Sequence, residues 1–120
     1  MVKVRYRSSE GRYELSLKGH AGAGAYGCDI ICAGVSAITY ALMGYLELTC
    51  KEASCLDINY AEGDVTILCE GHAECGSAFQ MAITGYEMIA DKYPQYISVD
   101  ILSADRSGDT RNRARGKEHL

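Results

Sequence analysis

The first 18 residues alternate between apolar and polar side chains, which is the period of a half-buried β-strand. The alternation runs from residue 1 to residue 8 and again from residue 12 to residue 18, with Ser9, Glu10 and Gly11 between the two runs. Two runs of period two that flank a short connection containing glycine are typical of a β-hairpin. The chain is therefore predicted to begin with a pair of antiparallel strands.

A second pair of alternating runs follows in the middle of the chain. Residues 56–60 and 64–70 lie on either side of Ala61, Glu62 and Gly63, which have the composition of a tight turn. A further β-rich segment, YISVDIL, occupies residues 96–102. These patterns predict a second hairpin and a fifth strand.

Two long segments with helical spacing fill the gaps between these strands. The first extends from about Asp29 to Leu48, and the second from about Glu74 to Tyr93, immediately before Pro94, the only proline in the chain. A proline disfavours helical geometry in the residue before it, so the second helix should end there. The predicted order is ββαββαβ.

This order predicts an α+β domain in which two helices pack on a largely antiparallel or mixed sheet. Hairpins outnumber βα alternations, which argues against a regular parallel sheet. The chain has 120 residues, enough for one domain with a modest core. We assign residues 1–104 to that domain and expect residues 105–120, a polar segment without periodicity, to be a disordered tail.

The first predicted helix is apolar on nearly every side. Its apolar residues are Ile30, Ile31, Ala33, Val35, Ala37, Ile38, Tyr40, Ala41, Leu42, Met43, Tyr45, Leu46 and Leu48. A helix of this kind is buried all round, and a two-layer domain covers only one side of it. We therefore predict a homodimer with helices in the interface. Glycine, serine, threonine and tyrosine interrupt the apolar run, so we expect no membrane span.

Charge and cysteine content narrow the class of protein. Residues 1–104 contain 7 Lys/Arg and 13 Asp/Glu, and an acidic body argues against direct binding of nucleic acid and favours a basic polypeptide. The N-terminus has no apolar segment of the kind that secretory signals contain. We therefore expect a cytoplasmic protein whose six cysteines remain reduced. No CxxC pair occurs, and we expect neither a metal nor a cofactor.

The candidate chemistry lies where the second strand leads into the first helix. His20 ends that strand, a segment rich in glycine and alanine follows, and Asp29 precedes the helix as a candidate N-cap. Cys32 is then about the third helical residue, where the helix field favours a thiolate. Cys32, Ser36 and Thr39 share one stripe of the helix. Cys32 and His20 have the chemistry of a nucleophile and its general base, and the backbone N–H groups near Ile31 and Cys32 are candidates for holding an oxyanion.

Spacing alone leaves alternatives open. A structural histidine and a buried cysteine explain the same residues, and the glycine-rich segment would then be an ordinary connector. His72 and Cys75 form a second possible pair, also between a strand and a helix. Cys28, four residues before Cys32, is another candidate thiol, either as the nucleophile or as the partner in a reversible disulfide.

The motifs Gly19-His20-Ala21 and DIICAGVSA, residues 29–37, resemble the signature of the ribosomal-processing cysteine proteases (the Prp or YsxB-like family). The resemblance covers nearly the whole chain except the tail. It implies a dimeric α+β endopeptidase that removes the N-terminal extension of bacterial large-subunit ribosomal protein 27. Cleavage would follow a motif that ends in aromatic residues and a small residue.

On this resemblance the catalytic histidine is His20 and the nucleophile is Cys32. Asp29 and Ser36 correspond to motif residues that support the site: Asp29 by capping the helix or orienting the histidine, Ser36 by a hydrogen bond within the site or back to its own helix. Gly22, Gly24 and Gly27 correspond to a mobile loop over the site, which peptide binding would order.

Two functions of other classes compete with this interpretation. An acidic dimer could bind a basic ribosomal protein as a non-catalytic assembly factor, in which case no cysteine should react rapidly with an alkylating agent near neutral pH. A metal or redox module could instead use His20, His72 and several cysteines, and would retain stoichiometric zinc after purification.

Overall fold

The alternating segments form strands and the two segments of helical spacing form helices. The computed structural model describes residues 1–19, 26–49, 55–71 and 73–103. In these residues the strands are β1 (Val2–Ser9), β2 (Arg12–Lys18), β3 (Cys55–Ala61), β4 (Asp64–Glu70) and β5 (Ile97–Ser103), and the helices are α1 (Tyr26–Gly44), continued by a π-helical turn (Tyr45–Thr49), and α2 (Ala73–Lys92). The predicted α+β order is confirmed.

The strands form one mixed sheet in the order β3-β4-β2-β1-β5. The hairpins pair β1 with β2 and β3 with β4, and β2 joins the hairpins by pairing antiparallel with β4. Only β5 is parallel to its neighbour, β1. The connection from β4 through α2 to β5 crosses over β2 and β1, which places β3 and β5 at the edges of the sheet.

Register places most of the apolar side chains of the strands on one face of the sheet. In one row, for example, Leu17 lies beside Val4 and Val65. This face packs against the helices in a core of Val2, Val4, Tyr6, Leu15, Leu17, Ile31, Val35, Leu42, Leu46, Val65, Ile67, Cys69, Cys75, Phe79, Ala82, Ile83, Tyr86 and Ile97. The opposite face is mostly polar, with Leu68 and Leu102 among its side chains, and both helices pack on the first face as a single layer.

The helices of this layer pack closely because small residues lie at their contact. A Cβ on Gly85 of α2 would lie 2.9 Å from Cδ1 of Ile38 on α1. At the next residue of α1, the side chain of Thr39 is 2 % exposed and its hydroxyl is 2.8 Å from the carbonyl oxygen of Val35. The same hydroxyl oxygen lies 2.6 Å from the hydroxyl of Tyr86 on α2.

Each hydroxyl has a single hydrogen to donate, and this determines which group is the donor in each of these two hydrogen bonds. Thr39 has one O–H, which it donates to Val35, so the Tyr86 hydroxyl donates to Oγ1 of Thr39. Burial raises the pKa of Tyr86 to about 12, and the bond to Thr39 opposes part of that rise. The tyrosine therefore remains protonated near neutral pH and connects α2 to α1 beneath the candidate site.

We expect Thr39→Val to lower the free energy of unfolding by about 1–3 kcal/mol, because it leaves the buried Tyr86 hydroxyl without an acceptor. Tyr86→Phe removes the donor instead, and the double variant removes both partners. The double variant should therefore lose less stability than the sum of the single losses, which urea unfolding of all four proteins measures. Additive losses would show that the hydroxyl pair contributes no coupling.

Helix α1 is less buried than its composition leads one to expect. By length and composition, Ile30–Leu48 could cross a membrane, with a mean hydropathy of 1.5, a test that the core helix of a soluble protein also passes. Only 28 % of that window is buried within the subunit. Part of the apolar surface of α1 therefore remains uncovered in the single chain.

Candidate active site

Cys32 lies on the flank of α1, beside the residues that face the core. Ile31 and Val35 are buried against the sheet, whereas Cys32 is half-buried. Successive residues of an α-helix differ by about 100°, so Cys32 points away from the core centre although it still contacts the core at its margin. The thiol is therefore held by packing and remains open to a ligand.

Ser36 follows one turn later on the same flank and is also half-buried. Thr39, the third member of the predicted stripe, lies in the core and bonds to Val35 and Tyr86. The stripe thus divides: Cys32 and Ser36 belong to the open flank, and Thr39 stabilises the packing behind them. The sequence spacing grouped the three residues correctly but did not reveal the division.

The start of α1 corrects two predictions. The helix begins at Tyr26, three residues before Asp29, so Asp29 is inside the first turn and is not the N-cap. Cys32 is accordingly the seventh helical residue and not about the third. The field of a helix terminus falls off within its first turn, so it acts only weakly on the Cys32 thiol. The predicted effect of the helix terminus on this thiol therefore loses its basis.

The earlier start of α1 also changes the prediction of which backbone N–H groups could hold an oxyanion. Only the first four N–H groups of a helix lack an intrahelical acceptor, and in α1 these belong to residues 26–29. The N–H groups of Ile31 and Cys32 lie beyond that set and bond within the helix. The prediction that these two groups hold an oxyanion is therefore wrong for this helix.

The predicted loop and histidine lie mostly outside the described residues. His20, Gly22 and Gly24 are in the segment 20–25, outside the described ranges. Gly27 is the second residue of α1, so its assignment to the loop is wrong. For Asp29 the structure describes the helical backbone alone, and its predicted role in orienting His20 stays a prediction.

Gly19 anchors the chain immediately before His20. Its φ is +97°, a conformation that favours glycine, and its N–H donates to the carbonyl oxygen of Gly63 at 2.9 Å. A Cβ at this position would lie 2.5 Å from the carbonyl oxygen of Met1. The direction in which the chain leaves β2 is thus determined by backbone contacts from two other parts of the sheet.

We expect Gly19→Ala to lower the free energy of unfolding by about 1–3 kcal/mol through backbone strain, with the overlap at Met1 adding to the loss. Peptide cleavage should fall by at least about tenfold, because the strain displaces the residue next to His20. Thermal unfolding and kcat/KM measure the two effects. Gly44→Ala is the control: nothing lies within 4 Å of a Cβ there, and alanine should stabilise α1. Equal behaviour of the two variants would contradict the prediction.

The described cysteines differ sharply in accessibility. Cys75 is 0 % exposed and Cys69 is also buried, whereas Cys32 is half-buried. A polypeptide cannot reach a thiol as deeply buried as that of Cys75, so this geometry argues against the alternative pair with His72, a residue outside the described ranges. Cys32 is the accessible thiol among the cysteines whose side chains the structure describes. The side chain of Cys28 is not among them.

The model of the family described as cysteine protease Prp matches residues 1–98, which include His20 and Cys32. This chain belongs to the Prp family of cysteine proteases. The match covers more than half of the chain and ends within β5, so the family accounts for the sheet, both helices and the accessible cysteine together.

Solved structures of Prp proteases have the same fold. The ribosomal processing protease Prp from S. aureus with a covalently linked product peptide is 28 % identical, with a TM-score of 0.70 over 84 % of this chain and 99 % of that one. Its complex with a substrate peptide gives 26 % identity and a TM-score of 0.68, again over 84 % and 99 %. SMU.848 from Streptococcus mutans, at 24 % identity, a TM-score of 0.69 and coverage of 86 % and 95 %, shows the shared fold.

No curated protein matches this chain. The family and the solved protease structures nevertheless support cysteine protease activity for the chain as a whole. They also confirm the family resemblance read from the two motifs.

Sequence reasoning missed the constraint on Gly19, because its cause is the carbonyl oxygen of Met1, which is far away along the chain.

Proposed function

We propose that this Prp-family protease removes the N-terminal extension of bacterial large-subunit ribosomal protein 27 in the cytoplasm. The observation that carries the proposal is an accessible thiol, Cys32, on a helix whose position is determined by packing on the Thr39 side. The S. aureus relative, a ribosomal processing protease, has been solved with a covalently linked product peptide. A peptide is therefore the substrate class that we assign to this chain.

In the proposed reaction Cys32 is the nucleophile and His20 is the general base. His20 takes the proton of the thiol, and Sγ attacks the scissile carbonyl carbon. The C–N bond breaks as His20 returns that proton to the leaving amine, and the acyl group remains on sulfur as a thioester. Water then attacks the thioester, gives its proton to His20, and releases the new carboxylate and the thiol.

Two further residues support this site in the proposal. Asp29 precedes Cys32 by three residues on α1, and with its capping role removed we assign it the orientation of His20. Ser36 lies one turn after Cys32 on the open flank and supplies a hydroxyl there. In an α-helix, residues three and four apart are neighbours on the surface, so both residues are next to the nucleophile.

The acidic body favours the basic ribosomal protein as substrate. The full chain has a net charge of −4, and its residues 1–104, with 7 Lys/Arg and 13 Asp/Glu, carry a net charge of −6. Opposite charge accelerates the encounter and weakens with salt. A non-catalytic assembly factor would use the same attraction, so charge alone does not distinguish binding from cleavage.

Intact-mass spectrometry of the ribosomal precursor after incubation with the purified protein tests the proposal. We expect one N-terminal fragment to be released, with the new end after the aromatic motif. Precursor that binds but keeps its full mass would instead support the assembly factor. Cleavage of an unrelated peptide with the precursor left intact would retain the protease and reject the substrate.

We further propose that the chain acts as a homodimer that uses its helical layer. An apolar groove of about 670 Å³ lies between α1 and α2, lined by residues that include Ile38, Ala41 and Met81. Met81 is 76 % exposed, which is unfavourable for a long apolar side chain in a single subunit. A second copy that presents the same face would cover the groove.

Met81→Glu should convert the dimer to a monomer, because a carboxylate in an apolar interface is strongly disfavoured. We expect the measured mass to fall by about half in light scattering coupled to size exclusion. Ser98→Glu, on the exposed edge strand β5, is the matched control and should leave the mass unchanged. A wild-type protein that is monomeric at every concentration would reject the proposal.

A further inference from the structure

A pair of exposed tyrosines connects α1 to the edge of the sheet. The hydroxyl oxygens of Tyr40 and Tyr60 lie 2.7 Å apart, and their ring centroids are 5.6 Å apart with the planes at 31°. Tyr40 is 54 % exposed and Tyr60 is 47 % exposed. One hydroxyl donates to the other, which leaves one O–H available to solvent, and the ring faces are the apolar part of the pair that is available to a ligand.

The position of Tyr60 explains why this pair is open. Leu56 and Ile58 precede it at alternate positions of β3 and pack against the core, so Tyr60 faces the helical layer as they do. β3 is an edge strand, and among the described residues no strand lies beyond it. Tyr60 therefore has Tyr40 on the helix side and, within the described part of the chain, no neighbouring strand on its outer side.

An acidic residue, Glu62, follows Tyr60 by two positions in the chain. The hydrogen bond with Tyr40 raises the pKa of Tyr60, with smaller contributions from lost hydration and from the charge of Glu62. Glu62 is exposed in the turn between β3 and β4. The ion pairs found in the described ranges are Arg12–Glu70 and Lys18–Asp64, so Glu62 has no cationic partner there.

Tyrosine ring faces near a carboxylate that has no cationic partner among the described residues favour a basic side chain as ligand. A lysine or arginine side chain gains a cation–π contact with tyrosine and an ion pair with the carboxylate. An apolar side chain gains only the contact with the tyrosine rings and forms no ion pair with the carboxylate. The charge of the patch therefore favours a basic side chain over an aromatic or aliphatic one.

We propose that Tyr40, Tyr60 and Glu62 form a subsite for a lysine or arginine side chain of the substrate peptide. The inference rests on the proposed function, because the position of that side chain is counted from Cys32. Tyr40 is eight residues after Cys32 on α1, which is about 12 Å along the helix axis and about 80° around it. The tyrosine side chain leans toward the helix N-terminus, and so toward Cys32.

This separation predicts where the basic residue lies in the substrate. An extended peptide advances about 3.3 Å per residue, so about 12 Å corresponds to three or four residues. A peptide bound with its scissile bond at Cys32 would thus present a side chain three or four positions away to the tyrosine pair. Which side of the scissile bond it occupies follows from the experiment.

Paired peptides test the subsite. Each pair spans the scissile bond and carries lysine or its uncharged analogue norleucine at one position, scanned from two to six residues on both sides. We expect one position, three or four residues from the bond, at which lysine raises kcat/KM by about threefold to tenfold over norleucine. The preference is a ratio measured on one protein, so loss of folded protein in a variant cancels.

The variants then assign the preference to the three residues. Tyr60→Leu and Glu62→Gln should each lower the lysine-to-norleucine ratio toward one. Tyr60→Phe keeps the ring and should retain most of the preference. If the tyrosine pair only closes the layer, Tyr60→Leu should instead lower kcat/KM equally for the lysine and the norleucine peptides. That result would overturn the inference.

Two further outcomes separate this subsite from the proposed function. Cleavage of all the peptides with no lysine preference at any position would overturn the subsite and leave the protease assignment unchanged. Failure to cleave any peptide would overturn the proposed function together with the subsite that rests on it.

Discussion

Cys32→Ala should abolish peptide cleavage, with kcat/KM reduced at least about a thousandfold. Alanine removes the only atom that forms the thioester, and nothing else in the proposed mechanism replaces it. Cys32 is at the margin of the core, so loss of its sulfur should change stability by only about 1 kcal/mol. Cleavage of the ribosomal precursor and thermal unfolding, measured on the same preparation, separate the two effects.

The neighbouring cysteine is the matched control for this experiment. Cys28→Ala removes a thiol one turn away on the same helix and should retain cleavage within about twofold. Fast alkylation of one cysteine near neutral pH should disappear in Cys32→Ala and persist in Cys28→Ala. If Cys28→Ala instead removes both cleavage and fast alkylation, the nucleophile is Cys28 and the assignment of Cys32 is wrong.

His20→Ala should lower kcat/KM by about a hundredfold to ten-thousandfold, the range expected when a general acid and base is lost. In this chain the effect should extend to the thiol itself. Cys32 lies beyond the first turn of α1, where the helix field is weak, so in the proposed mechanism His20 is the positive group that favours the reactive form of the thiol. Alkylation of Cys32 at neutral pH should therefore slow markedly in His20→Ala.

His72→Ala is the control for this second prediction. It removes the histidine of the alternative pair, whose cysteine is buried, and should leave cleavage and alkylation near the wild-type values. Loss of activity in His72→Ala with retention in His20→Ala would reverse the assignment. Loss of cleavage in His20→Ala without any change in alkylation would mean that His20 acts only after the thiolate has formed.

Much of the fold could be predicted from local pattern. Period-two alternation located all five strands to within about one residue, because a strand with one buried face imposes that pattern directly on its own sequence. The end of α2 followed from Pro94 in the same local way. The start of α1 was predicted three residues late, because Tyr26, Gly27 and Cys28 carry no capping signal that distinguishes helix from loop.

The candidate site, like the fold, could be predicted only as far as local sequence pattern determines it. Cys32 and Ser36 were identified from spacing and motif, and the structure places both on the open flank of α1. Spacing also grouped Thr39 with them, although its hydroxyl bonds in the core with Tyr86, 47 positions away in the chain. The spacing of residues along one helix shows which of them share a stripe. It does not show which residue of another helix forms a hydrogen bond with one of them.

The sequence by itself determined which segments are strands and helices, which face of each is apolar, and which residue carries the candidate nucleophile. Only the tertiary structure decided the parallel pairing of β5 with β1, the need for glycine at position 19 and the contact of Tyr40 with Tyr60. The physical reason is that burial patterns are imposed on each segment separately. Contacts between distant segments depend on how the finished layers meet, and no local pattern records that.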